Sequence, residues 1–108
     1  MRVAPVSAPV FASPYPVALD LRGRRALVVG AGPVAARKVE GLIAAGAVVT
    51  VVAPTAVPEI ADDPAVRWHQ REYRRGEVAS YRVVITATDD PAVNRQVARD
   101  GEIGRAHV

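Results

Sequence analysis

The chain has 108 residues, enough for one small domain, and half of them are hydrophobic, so a packed core is expected and wholesale disorder is excluded. It contains no cysteine, which excludes disulfides, thiolate metal sites and a cysteine nucleophile. The formal charge of +3 is mild and aromatics are few, a poor match to a nucleic-acid surface, and no run reaches the ~20 apolar residues of a membrane-spanning helix.

Residues 1–13 are rich in Pro, Ala, Val and Ser without period and read as an extended tail. Pro5, Pro9, Pro14 and Pro16 interrupt any continuous apolar stretch, so no secretory signal is expected and the cytoplasm is the expected compartment. Residues 25–29, ending at Gly30, have the pattern of a strand buried on both faces. Residues 33–45 read as a helix: Pro33 suits a first turn, Val34, Val39, Leu42 and Ile43 give an apolar side, and Gly46 is the C-terminal cap. A second strand over 48–52 closes at Ala53-Pro54, and one helical turn is expected near 59–61. A short third strand over 66–69, a brief turn or helix over 77–81 and a fourth strand over 82–87 follow. A proline-led helix over 91–100 comes last, with Val93 and Val97 four apart on one face. This alternation predicts an α/β fold: a doubly wound parallel sheet with crossover helices, incomplete at about four strands.

The most informative segment is Gly30-Ala31-Gly32-Pro33-Val34-Ala35, a G-x-G-x-x-A pattern between a predicted strand and a predicted helix. In a Rossmann-like fold the first glycine allows the tight turn and the second lets backbone approach a pyrophosphate. The small third residue packs the helix against the sheet, and the helix N-terminus offers free N–H groups. An acid for the ribose is expected ~20 residues later, but that place reads Val52-Ala53-Pro54-Thr55, with no Arg for a 2′-phosphate either. The pattern therefore leaves NAD and NADP open, and Thr55 is a candidate ribose contact.

A second place of interest is Thr86-Ala87-Thr88-Asp89-Asp90-Pro91 at the end of the fourth strand, facing the ligand crevice. Thr86 and Thr88 offer hydroxyls there, Asp90 suits a helix N-cap, and for Thr88 and Asp89 a local and a ligand-facing role stand level. Arg67, Arg71, Arg74, Arg75 and Arg82 read as a solvated basic face, His69 as a surface strand residue, and no His–carboxylate spacing suggests a metal cage.

Together these segments resemble a known family. Tyr15 to Gly23, VVGAGPVAARKVEGLIAAGAVVTVVAP and ITATDDPAVNRQV, at these separations, are similar to the N-terminal domain of siroheme synthases, the precorrin-2 dehydrogenase family. The resemblance spans roughly residues 15 to 101 and implies a partial NAD-binding domain over 14–101. It implies NAD as cofactor, with Gly30 in the glycine loop, contacts from Gly32, Pro33 and Val34 there, Pro54 and Thr55 after the second strand, and Thr88 toward the nicotinamide. It implies oxidation of precorrin-2, a tetrapyrrole, to sirohydrochlorin, with ferrous iron insertion in some members and a homodimer for the longer protein. The family's general base, the Asp of an Asn-x-x-Asp segment on the next strand, has no counterpart in this chain, so no catalytic residue is assigned and little or no turnover is expected. Residues 102–108 can be written GAG ATC GGA AGA GCA CAC GTC, a string matching sequencing-adapter read-through, and are expected to be non-native. A non-catalytic dinucleotide-sensing module and an unstable fragment are the alternatives on sequence alone.

Overall fold

The structure, a computed structural model, describes residues 20–104. The expected tail over 1–13, the lead-in over 15–19 and residues 105–108 lie outside the described residues.

Among the described residues, four strands and three helices follow the predicted order: β1 (Arg25–Val29), α1 (Pro33–Ala44), β2 (Val48–Ala53), α2 (Pro58–Ala61), β3 (Val66–Gln70), β4 (Val83–Thr86) and α3 (Pro91–Gly104). A 3-10 turn, Glu77–Ser80, precedes β4. All strand pairs are parallel, in the order β3-β2-β1-β4, so the chain crosses from one edge of the sheet to the other between β3 and β4. In register, Val29 stands against both Val52 and Thr86, and Ala53 against Gln70.

The alternation of side chains along β1 builds two cores. Ala26 and Val28 join Val49, Val51 and Val83 under α1 and α2, packed by Ala35, Val39, Leu42 and Ile60. Leu27 and Val29 join Val52 and Val84 on the opposite face, closed by Val78 of the 3-10 turn and Val97 of α3. Burial of β1 on both faces is what its uninterrupted apolar run predicted.

The caps act as the sequence indicates. Pro33 starts α1, and Gly46 follows the Ala45 cap in the left-handed region at φ 83°. The Gly46 amide donates to the Ile43 carbonyl (2.9 Å) and the Ala47 amide to the Leu42 carbonyl (3.0 Å), a Schellman closure.

Two expectations are corrected. The sequence places Val34 on the apolar side of α1, but it is 61% exposed. The core stripe is Ala35, Val39 and Leu42, and Val34, one residue out of phase, is turned about 100° away from it. The sequence ends the last helix at Asp100, whereas α3 continues to Gly104. No proline follows Pro91, and Gly101 costs about 1 kcal/mol in helix propensity without removing a hydrogen bond.

Candidate functional site

The carboxyl ends of β1, β2 and β4 surround a crevice of about 570 Å³ over the N-terminus of α1. Its lining includes Gly30, Gly32, Pro33, Val34, Pro54, Thr55 and Thr88, the residues expected to contact the dinucleotide, along with Asp89 and Asp90. Such a crevice, where strand order reverses, is where open parallel sheets bind ligands.

The two glycines of the loop have different causes. Gly30 lies at φ 113°, and a Cβ there would stand 2.6 Å from the Ala87 carbonyl oxygen and 2.7 Å from its carbon. The end of β4 lies directly over this position, tied down by the Ala87 amide donating to the Val29 carbonyl at 2.8 Å. The fold itself therefore demands glycine at 30. Gly32 is extended (φ −88°, ψ −168°), a conformation open to any residue, and a Cβ there meets nothing within 4 Å. Neither strain nor packing requires a glycine at 32, which opens onto the crevice.

Gly32 is also the N-cap of α1, with no side chain capping the first turn. The first-turn amides lack intrahelical partners and carry the positive end of the helix dipole. Ala35 is fully buried, which lets α1 pack close to the sheet as the motif predicts. On the opposite wall, the Val57 amide donates to the Ala31 carbonyl at 2.9 Å and fixes the loop that carries Pro54 and Thr55.

The third wall is the start of α3 and the residues before it. Asp90 is the N-cap of α3: its Oδ1 accepts from the Ala92 amide at 2.9 Å. Thr88 Oγ1 accepts from the Asp90 amide (3.0 Å) and the Thr88 carbonyl accepts from Asn94 Nδ2 (3.0 Å), so Thr88 is held locally and still lines the crevice. Asn94 Oδ1 is buried without a partner among the described residues. Asp89 is exposed at the crevice. Thr86 does not line it, because strand alternation turns Thr86 to the face opposite Ile85 and Ala87.

A smaller cavity of about 270 Å³ adjoins the crevice through Gly30, Ala53, Pro54, Thr88 and Asp90. Its own walls are Val29, Val52 and Val93, with Glu72 and Tyr73 from the segment after β3. That segment is anchored from two sides. The Tyr73 hydroxyl donates to Asp100 Oδ2 at 2.5 Å, the Gly76 amide to the same oxygen at 2.7 Å, and Gln96 Nε2 to Oδ1 at 2.8 Å. Burial opposes ionisation of Asp100, which is 7% exposed, but these three donors and the Arg75 charge outweigh it and hold its pKa below the usual value. Burial, together with the bond to Asp100, raises the Tyr73 pKa, so the phenol stays protonated as the donor.

On the other side, the Arg71 guanidinium grips Glu77 at 2.7 and 3.2 Å, and Glu77 Oε1 accepts from the Arg74 amide at 2.8 Å. Bidentate bonding to Glu77, against a smaller opposing effect of burial, raises the Arg71 pKa further. One arginine of the expected solvated face is thus a structural tie. His69 is exposed on β3, away from the crevice. Glu72 and the Tyr73–Asp100 bond were missed in the sequence: the partners lie 27 positions apart. The usable signal was an aspartate on the helix face of Val93 and Val97, a polar residue where an apolar one would be expected.

A family described as "Putative NAD(P)-binding" (NAD_binding_7) matches residues 17–107. The chain belongs to this NAD(P)-binding family. The chain is 44% identical over 93 residues to a siroheme synthase of Chromobacterium violaceum, covering 82% of this chain and 19% of that protein. It is 40% identical over 86 residues to a precorrin-2 dehydrogenase of Priestia megaterium, covering 77% of this chain and 43% of that protein. The solved structure of "SirC, precorrin-2 dehydrogenase" superposes with a TM-score of 0.73 at 38% identity, over 78% of this chain and 44% of that one. The chain thus spans less than half the length of these relatives, and the resemblance read from its motifs is borne out.

Proposed function

We propose that this chain is the NAD-binding portion of a precorrin-2 dehydrogenase, oxidising precorrin-2 to sirohydrochlorin. The observation that carries the reading is the space at Gly32: a glycine without structural cause, at an uncapped helix N-terminus, on a crevice at the switch point of the sheet. A pyrophosphate fits that chemistry, because it needs close backbone approach and free N–H donors. Gly30, Gly32, Pro33 and Val34 would hold it, with Pro54 and Thr55 toward a ribose and Thr88 toward the nicotinamide. NAD supplies the hydride acceptor; the second hydrogen leaves precorrin-2 as a proton. The similarity to siroheme synthases and precorrin-2 dehydrogenases supports this substrate.

The same reading assigns residues 14–101 to the NAD-binding domain, 1–13 to a tail and 102–108 to a non-native end. It assigns a homodimer and a cytoplasmic location to the longer protein; iron insertion is a property of some members of the family. The test has two arms. Calorimetric titration of the chain with NAD should give saturable binding that Gly32→Val abolishes. The gene read beyond codon 101 should encode a protein that forms NADH from NAD and precorrin-2. Equal NAD affinity in wild type and Gly32→Val refutes the site, and a longer protein that binds NAD without forming NADH refutes the dehydrogenase.

A further inference from the structure

The end of β2 lacks the carboxylate that ordinarily receives the adenosine ribose, since Pro54 and Thr55 occupy that place. β3 runs parallel beside β2 with Gln70 opposite Ala53, and the Arg71 amide extends the pairing by donating to the Ala53 carbonyl at 3.2 Å. β3 ends at Gln70, so Glu72 follows directly on the Arg71 contact with the end of β2. Accordingly, Glu72 lines the smaller cavity together with Val52, Ala53 and Pro54, where that cavity opens into the crevice.

The Glu72 carboxylate is uncommitted. The neighbouring Arg71 spends its guanidinium on Glu77 and donates to the Glu72 backbone carbonyl at 3.1 Å, not to its side chain. No ion pair or hydrogen bond reaches the Glu72 carboxylate among the described residues. Its backbone is fixed by that carbonyl contact and by Tyr73, which Asp100 anchors. Among the described residues, the charged ones lining the crevice and the smaller cavity are Glu72, Asp89 and Asp90, and none of the lining is Arg or Lys. A 2′-phosphate would bring about two further negative charges to a lining with no cation.

We infer that Glu72 is the specificity-determining residue of the dinucleotide site: its carboxylate accepts from the adenosine ribose hydroxyls and repels a 2′-phosphate, selecting NAD over NADP from the end of the third strand instead of the second. The inference rests on the dinucleotide reading above. Its test is titration of the chain with NAD and with NADP, in wild type, Glu72→Gln and Glu72→Arg, at low and high salt. Wild type should prefer NAD by about tenfold or more, with the preference shrinking as salt screens the phosphate. Glu72→Gln should cut the preference about tenfold, and Glu72→Arg should reverse it. Because Glu72 is exposed, thermal midpoints should match among the three proteins. If NAD binds and the NAD-to-NADP ratio is the same in all three, Glu72 is not the determinant, although the dinucleotide site stands. If wild type binds neither dinucleotide, the dinucleotide reading falls and this inference with it.

Discussion

Substituting alanine at Gly30 and at Gly32 separately tests whether fold and ligand make different demands on the same loop. At Gly30 the new Cβ stands 2.6 Å from a backbone oxygen, and regaining an ordinary 3.4 Å contact requires roughly 0.8 Å of backbone movement. That movement strains the 2.8 Å Ala87–Val29 hydrogen bond, whose loss is about 1 kcal/mol. An L-residue at φ 113° adds about 1–3 kcal/mol of backbone strain. The combined cost of about 2–4 kcal/mol is a large share of the ~4–13 kcal/mol expected for a domain of this size. It should lower the thermal midpoint by roughly 8–30 °C. At Gly32 the backbone suits alanine and the Cβ meets nothing, so stability should hold within about 1 kcal/mol. What Gly32→Ala should lose is stabilisation by NAD, about 2.7 kcal/mol in wild type at a hundredfold excess over the dissociation constant. Thermal unfolding by circular dichroism, with and without NAD, reads both effects. A Gly32→Ala protein that unfolds as early as Gly30→Ala, or that NAD stabilises as fully as wild type, refutes the division.

Two further outcomes follow from the walls of the site. Asp90→Ala removes the cap on α3 and should cost about 1 kcal/mol, read as a drop of roughly 4–8 °C in the thermal midpoint; an unchanged midpoint would mean that the Asp90–Ala92 bond contributes nothing. Tyr73→Phe deletes a donor to a buried carboxylate and should cost about 1.5–3 kcal/mol at neutral pH. Asp100 is more acidic folded than unfolded, so its contribution is complete above about pH 4 and disappears as pH falls through the lower folded value. Urea titrations of wild type and Tyr73→Phe should therefore differ at pH 7 and converge on acidification, whereas a gap independent of pH would contradict the role given to Asp100.

The frame of the fold was legible because its signals are local. β1 needs no partner to be recognised, since Ala26 to Val29 are apolar on both faces, and α1 is bounded by Pro33 and Gly46, which act through their own backbone constraints. The glycine loop was legible for the same reason. Val34 was misplaced because its apolar character was read without the helical phase that puts Ala35 inward. The anchoring of the 71–76 segment was invisible because it depends on pairing Tyr73 and Gly76 with Asp100, contacts between distant positions that no local pattern encodes. Glu72 escaped for a related reason: its nearness to the end of β2 comes from strand register, not from chain order.

The strand order also carries a kinetic consequence. Pairing β1 with β2 closes a loop of about 20 residues, whereas pairing β1 with β4 closes one of more than about 50, a difference worth roughly 0.9 kcal/mol of chain entropy. Nucleation should therefore begin in the β1–α1–β2 unit, with β4 joining near the end of folding. The crevice straddles that late seam: Gly30 and Pro54 belong to the early unit, while Ala87 and Thr88 arrive with β4. A molecule bound across it grips contacts that the transition state has not made, and should slow the opening of the native protein while leaving the rate of its formation almost unchanged.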